Sequence, residues 1–155
     1  MSDLLMGFIT DAWFAWIPAV GFAMLFNVPP KMLVFCAIGG ALTHSLRFLL
    51  LHFGMPIEWA TFIVSTNMGF IGLYWSRKYL IPRPVFTVAS VIPMIPGSFA
   101  FKAMVGLMAI NTNGYTLELM QTVMENGLRT LFILTALSFG LAVPSILIYR
   151  GRPIV

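Results

Sequence analysis

Six ionisable residues stand inside long apolar stretches of this chain, where their side chains could bind a charged solute or carry a proton. They are Asp11, His44, Arg47, Lys102, Glu125 and Arg129. A full charge near the centre of a membrane helix costs about 2.5 to 3.5 kcal/mol, so the five charged groups would cost on the order of 12–17 kcal/mol if unpaired in lipid. We therefore expect these side chains to converge on one another or on a water-filled cavity.

The spacing of these residues along the chain supports such a convergence. His44 and Arg47 are three residues apart, so they share one face of a helix. A polar stripe recurs later in the chain at steps of three and four residues and consists of Glu118, Gln121, Thr122, Glu125 and Arg129. Both patterns indicate helices with one polar face inside an apolar environment.

The charge balance of this set predicts what it binds. Three cations face two anions, an excess that favours an anionic or zwitterionic solute. The residues predicted to bind the solute, with the cations on its carboxylate, are Arg47, Lys102, Arg129, Ser98 and Asn67. The residues predicted to couple protons or to balance charge are Asp11, Glu125 and His44.

Each of these residues also has a structural interpretation, which the sequence leaves open. Glu125 and Arg129 could form an intrahelical ion pair that locks a helix bundle. Asp11 could be hydrated near the outer interface, while Arg47 and Lys102 could extend to the lipid headgroups. His44 and Asn67 could equally be hydrogen-bonded packing residues between helices.

Enzymatic chemistry has little support in the sequence. His44 and His52 are eight residues apart and lack the ligand spacing of a metal site. There is no nucleophile elbow or phosphate-binding loop, so we predict no catalytic residue, no metal and no cofactor. Cys36, the one cysteine, lies in an apolar stretch and is expected to be a small buried packing residue.

Membrane-spanning helices must position these residues. The 155 residues are 59% hydrophobic and 9% charged, against about 25% charged in a soluble domain, which excludes a soluble, disordered or nucleic-acid-binding chain. A bilayer core about 30 Å thick requires roughly 20 apolar helical residues. Five stretches qualify and predict an all-α bundle of five transmembrane helices in one membrane domain, 1–155: residues 4–26, 32–53, 58–75, 85–110 and 116–149.

The basic residues predict the orientation of these helices. With five crossings, one side of the membrane receives all the basic loops and the basic C-terminus: Lys31, Arg77, Lys78, Arg83, Arg150 and Arg152. The positive-inside rule places that side in the cytoplasm and the N-terminus outside. The first residues lack a basic region and a cleavage site, so we expect the first stretch to remain as a helix.

The last stretch is too long for one straight crossing, because a helix over 116–149 would run to about 50 Å. We expect it to tilt, to protrude or to break, with bends favoured at 126–127 or at Pro144. Its first turns, 116–126, could lie in the interface instead of crossing.

The fourth stretch contains a predicted helix break. Pro93 and Pro96 lack N–H groups, Gly97 permits a turn, and Ser98 could cap a new helix. Interrupted backbone within a bilayer is tolerated only when protein or a wet cavity surrounds it. Lys102 would then lie about one turn into the new helix, where its charge suits a bound anion. A plain proline kink is the alternative.

The segment Ile-Pro-Met-Ile-Pro-Gly-Ser, residues 92–98, within a five-helix chain of this size, resembles the threonine/serine exporter family, and in particular its small YjjB-type subunit, equivalent to the C-terminal membrane half. The resemblance implies export of a small amino acid, such as threonine or serine, or of a dicarboxylate such as succinate, across the bacterial inner membrane. It also implies a separate partner subunit of the YjjP type. A non-transporting assembly or regulatory subunit is the alternative, and a higher oligomer is also open.

Overall fold

The structure, a computed structural model, describes residues 2–149, with side chains from residue 6 to residue 148. Within this part of the chain all regular structure is helical, and no strand occurs. Six α-helices and one short 3-10 helix follow in order: α1 (Ser2–Leu25), α2 (Pro30–His52), α3 (Ile57–Tyr79), α4 (Pro84–Val91), the 3-10 helix (Ile92–Met94), α5 (Gly97–Asn113) and α6 (Leu117–Tyr149). The all-α class predicted from the sequence is confirmed.

Prolines and left-handed residues set the helix boundaries. Pro30 and Pro84 stand in the first turns of α2 and α4, where a missing N–H costs nothing. α3 ends at Tyr79, because the next residue, Leu80, has a φ of 54° and cannot continue the helix. The expected boundaries differ most here: α3 runs to residue 79 rather than 75, and α5 extends to Asn113 rather than 110. Polar residues at membrane helix ends were misassigned to loops.

The number of candidate membrane spans is lower than expected. Three helical segments are long and apolar enough, namely Met6–Leu25, Pro30–His52 and Leu117–Ile148. A fourth results if Pro84–Met94 and Gly97–Asn113 count as one interrupted span. The described residues therefore form a membrane protein with three or four candidate spans, and the five-crossing count is not confirmed. α3 carries Glu58 near its beginning and two basic residues in its last turn, which lower its apolarity.

The long last helix is continuous. α6 passes through residues 126–127 and through Pro144 without interruption, so of the three expected alternatives a break is excluded. Pro144 is fully buried, and its ring lies against Gly69 of α3, where an added Cβ would lie 2.8 Å from the proline Cγ. Arg150 and Arg152, used above to assign the orientation, lie outside the described residues.

The contacts divide the chain into two compact units. The first unit comprises residues 2–94 with 136–149, and the second is Ile95–Thr135. Within the first unit, α2 is central and packs against α1, α3, α4 and the 3-10 helix. Cys36 is fully buried beside α4, with its Sγ 3.3 Å from the carbonyl oxygen of Val85, so its predicted packing role is confirmed. The single-domain organisation stays a prediction.

Small residues allow α1 and α2 to approach closely. Ala15, Ala19 and Ala23 recur every fourth residue on α1 and are buried. A Cβ added at Gly40 of α2 would overlap the Cβ of Ala19. Close approach through small side chains is the usual way in which membrane helices associate. The α1–α2 contact therefore depends on the absence of a side chain at Gly40.

Replacing Gly40 with alanine is expected to lower the free energy of unfolding by about 1–3 kcal/mol, because the added methyl group overpacks the contact with Ala19. The matched control is Gly21→Ala on α1, where a new Cβ meets no atom within 4 Å. There, alanine is expected to stabilise the helix by about 0.5–1 kcal/mol. Unfolding by denaturant in detergent micelles measures both changes. Equal stabilities of the two variants would contradict this packing.

Candidate functional site at the helix break

The backbone is interrupted at the predicted place. The 3-10 helix ends at Met94 and α5 begins at Gly97, so helical structure is absent at residues 95–96. Pro96 precedes α5 with φ −79° and ψ 55°, and the Gly97 N–H donates to the Ile95 carbonyl at 2.8 Å. The break predicted from Pro93, Pro96 and Gly97 is confirmed.

The predicted cap at this break is wrong. No side chain caps α5, and Pro96 occupies the capping position. Because the helix begins at Gly97, Ser98 is already inside the first turn, whereas an N-cap residue must stand just before it. Ser98 is exposed, and its role in solute binding stays a prediction.

Arg47 on α2 satisfies a backbone group at the break. Its Nη1 donates a hydrogen bond to the carbonyl oxygen of Met94 at 2.8 Å. Met94 is the last residue before the interruption, and the final carbonyls of a helix lack intrahelical partners. The guanidinium therefore serves as a cap made by a side chain from another helix.

A chain of polar contacts continues from Arg47 to α1. The Nη2 of Arg47 lies 3.5 Å from Nε2 of His44. On the other side of the ring, Nδ1 of His44 lies 2.6 Å from Oδ2 of Asp11. The His44 and Asp11 side chains are 27% and 22% exposed. We call this set, Asp11, His44, Arg47 and the Met94 carbonyl, the polar chain; it joins three elements of the first unit.

The geometry of these contacts suits one tautomer of His44 beside an ionised Asp11. A carboxylate only accepts hydrogen bonds, so Nδ1 of His44 must donate to Asp11. With one proton on the ring, Nε2 is an acceptor and suits the Nη2–H of Arg47. Asp11 and Arg47 then balance one another across a neutral imidazole.

The sequence indicated part of this arrangement. The shared face of His44 and Arg47 is confirmed by their contact. The pairing of Asp11 with His44 was missed, although one signal indicates it. Asp11 lies 14 residues before the end of α1 (25 − 11), and His44 lies 14 residues after the beginning of α2 (44 − 30). Two antiparallel helices joined by a short turn place such residues at the same level.

Asn67, the other predicted solute-binding residue of the first unit, does not join the polar chain. Asn67 on α3 is exposed, and its Nδ2 donates to the Ile63 carbonyl of its own helix at 2.9 Å. It therefore does not make the interhelical contact considered from the sequence, and its role in solute binding stays a prediction. Among the described residues no group of three or more His, Cys, Asp or Glu side chains could hold a metal ion.

The second unit holds the remaining charged residues. Oε1 of Glu125 and Nη2 of Arg129 lie 3.1 Å apart on α6, which is the intrahelical pair that the sequence left open. The Arg129 guanidinium also lies over the Phe99 ring of α5, 5.6 Å from its centroid. Lys102 on α5 is exposed, and no described residue forms an ion pair or hydrogen bond with its ammonium group.

The polar stripe of α6 faces away from α5. Val123 marks the packed side, because a Cβ at Gly106 of α5 would lie 2.6 Å from a Val123 methyl group. At 100° per residue, Glu118, Gln121 and Glu125 lie on the opposite side of α6, and all three are exposed. In the second unit an apolar hairpin therefore presents an uncovered line of polar side chains.

Comparison with known proteins decides the family. The family model described as "Threonine/Serine exporter, ThrE" matches residues 11–147. The chain belongs to the threonine/serine exporter family. The match begins at Asp11 and includes the whole polar chain, the helix break and the stripe of α6. This exporter family is a family of transporters and not of enzymes.

One relative of this chain is about twice as long. A protein of Haemophilus influenzae described as "Uncharacterized protein" is 48% identical over 155 residues, which is 100% of this chain and 52% of the relative. This exporter-family chain thus spans about half the length of the curated relative that it matches. No solved structure matches the chain.

Proposed function

We propose that this chain is one half of a secondary transporter that exports small carboxylate-bearing solutes, either a small amino acid such as threonine or serine or a dicarboxylate such as succinate. The observation that carries the proposal is the position of Arg47, a cation that caps interrupted backbone within an apolar helical protein. Membership of the threonine/serine exporter family supports the class of solute.

Arg47 has the donors that a carboxylate needs. A guanidinium carries five N–H groups in a planar fork, and it binds carboxylates in a bidentate manner. Its two described polar contacts are with Met94 and His44, which leaves donors for a solute. Interrupted helices bind solute carboxylates in several secondary transporters. Lys102 and Arg129, which belong to the second unit, stay predicted carboxylate-binding residues from the sequence alone.

Helix lengths support a position of the break inside the bilayer. The eight residues of α4 and the three of the 3-10 helix span about 18 Å together. A bilayer core is about 30 Å thick. If α4 begins at the interface, Met94 and the Arg47 guanidinium lie within the hydrocarbon region, where the chain tolerates irregular backbone only beside protein or water.

For the topology we propose five crossings with the N-terminus in the periplasm and the C-terminus in the cytoplasm of a bacterial inner membrane. An aromatic cluster supports the cytoplasmic interface: Phe35 packs against Trp75 at 5.1 Å and against Phe86 at 5.9 Å between ring centroids. Beside it, the Lys78 ammonium lies 5.6 Å from the Tyr79 ring. Aromatic and basic residues of this kind mark a membrane interface.

A second membrane half is the partner that we propose, in the form of a YjjP-type subunit. The uncovered polar stripe of α6 supports it, because charged side chains of a membrane hairpin avoid lipid by contacting protein. The length of the relative from Haemophilus influenzae, about twice that of the matched region, is consistent with two halves. A partner of inverted orientation would complete an architecture common among carriers.

Solute efflux tests the proposal. Cells loaded with threonine or with succinate are expected to export one of them when the chain and its partner are both expressed, and to retain it when either is missing. Lys102→Ala is expected to reduce efflux about tenfold if Lys102 contacts the carboxylate. The control is Lys31→Ala in the loop before α2. Unchanged efflux in the Lys102 variant at normal protein level would remove Lys102 from the site.

Complex formation with the partner, measured on the same variants as efflux, separates transport from a purely structural role. If charge-neutralising changes abolish complex formation with the partner, a non-transporting assembly or regulatory subunit is supported. If the complex forms but no longer moves solute, the transporter is supported. The cap on Met94 supports a structural role, because Arg47 stabilises the backbone there.

A further inference from the structure

We propose that His44 is a proton-binding residue of this site, and that a proton on its ring releases Arg47 from His44, so that the guanidinium binds the solute carboxylate while it still caps Met94. The inference rests on the proposed function, because it concerns how the same arginine becomes available to the same solute. It adds a proton as a second ligand of the polar chain and assigns its binding atom, Nε2 of His44.

With one proton on the His44 ring, every contact of the polar chain pairs a donor with an acceptor. Nδ1 donates to Asp11 at 2.6 Å, Nε2 accepts from Arg47 at 3.5 Å, and the guanidinium donates to the Met94 carbonyl at 2.8 Å. The carboxylate and the guanidinium balance each other in charge. In this state Nη2 of Arg47 is engaged with His44, and a carboxylate that needs this donor must compete with that contact.

A second proton changes the chain at one atom. The Nε2 lone pair takes a proton from the aqueous medium and becomes an N–H group, which can no longer accept from Arg47. Two cations then face each other across the 3.5 Å contact, and Asp11 neutralises only one of them. The repulsion moves the guanidinium away from His44 and leaves a net positive charge. A carboxylate solute supplies the missing negative charge.

The two ligands therefore favour each other. A proton on His44 raises the affinity for the carboxylate, and by reciprocity the bound carboxylate raises the affinity for the proton. Coupling of this kind commonly amounts to a change of about 5- to 150-fold in affinity. Binding of solute should thus draw a proton from the medium.

The charged surroundings of His44 are few in the described part of the first unit. α1 contributes Asp11, and α2 contributes Arg47. The α4 segment and the 3-10 helix carry no ionisable side chain. The ionisable groups of α3 lie towards its two ends and comprise Glu58, Tyr74, Arg77, Lys78 and Tyr79. Asp11 and Arg47 are therefore the charges that decide whether the ring accepts a second proton.

Binding of threonine at different acidities tests the inference. The protein assembled with its partner is titrated with threonine between about pH 5 and 8, the range in which imidazole groups change charge. The threonine carboxylate stays ionised throughout this range, since an α-carboxyl group titrates near about pH 3.5. We expect the affinity to rise about 5- to 150-fold towards the acidic end, with proton uptake from a weakly buffered medium.

His44→Gln is the decisive variant. Its amide can donate to Asp11 and accept from Arg47 but cannot take up a proton, so its affinity for threonine should be constant across this range, without proton uptake. His52→Gln is the matched control, because His52 is the exposed last residue of α2; it should keep the pH dependence of the wild type.

The possible outcomes separate the two proposals. If the wild type binds neither threonine, serine nor succinate at any pH, the proposed function fails. If it binds threonine with the same affinity at every pH, or if His44→Gln keeps the pH dependence, the proton inference alone is overturned. If His44→Gln does not fold, Asp11→Asn replaces it: loss of the anion should move the rise in affinity to lower pH, and an unchanged profile overturns the inference.

Discussion

Replacing Arg47 with alanine is expected to reduce carboxylate efflux about 10- to 100-fold. The variant loses hydrogen bonds made by a charged donor, each of which contributes about 1.5–3 kcal/mol. It also leaves the Met94 carbonyl without the Nη1 donor that caps it. Efflux of threonine and succinate from preloaded cells, normalised to the amount of protein in the membrane, measures the loss.

Arg47→Lys is the matched control for this prediction. Lysine keeps the positive charge but lacks the planar fork that reaches Met94 and a carboxylate together. We expect an intermediate efflux, and we expect the fold to be retained. Full efflux in Arg47→Ala, with the protein at its normal level, would contradict a role of Arg47 in the solute pathway.

Exchanging Glu125 and Arg129 is expected to abolish assembly with the proposed second half, reducing co-purification about tenfold or more. The double variant Glu125→Arg with Arg129→Glu keeps an intrahelical ion pair of the same type. It reverses the order of charge on the exposed stripe of α6, so like charges would meet on a partner surface that complements the native stripe. Co-purification of the two halves from detergent extracts measures the effect.

The double neutral variant Glu125→Ala with Arg129→Ala separates the two interpretations of this pair. If the pair serves only to stabilise α6, the exchanged variant should assemble normally and the neutral variant should be somewhat less stable. If the partner recognises the stripe, the exchanged variant should be worse than the neutral one, because repulsion is added to a lost contact. Normal assembly of the exchanged variant would remove the stripe from the proposed interface.

Local chemistry explains which features of the fold could be predicted from the sequence. The break at residues 95–96 follows from Pro93 and Pro96, whose missing N–H groups act within one turn of the chain. The ends of α3 and α5 were less predictable. Polar residues occur both in the last turn of a membrane helix and in the loop after it, so their presence does not locate the end of the helix. The helix continues through them as long as the backbone N–H and carbonyl groups keep their hydrogen bonds.

Contacts between helices were harder to predict than the helices themselves. The sequence indicated that Arg47 shares a face with His44, but a face does not specify its partner. The contact with the Met94 carbonyl depends on how α2 lies beside the 3-10 helix, and no side-chain pattern encodes a backbone acceptor. Asp11 was expected among the charges that converge. Its pairing with His44 depends on the register of α1 against α2, which follows from the equal distances of the two residues from the turn between these helices.

The charged stripe on the hairpin of α5 and α6 also has a consequence for biogenesis. Glu118, Glu125 and Arg129 are exposed in the single chain, so we expect a newly made copy without a partner to be a target for membrane quality-control proteases. The cell would then tolerate an excess of this half only briefly. If the proposed second half covers this stripe, the steady-state level of this chain is expected to follow the supply of that half, a form of stoichiometric control that needs no regulation of transcription.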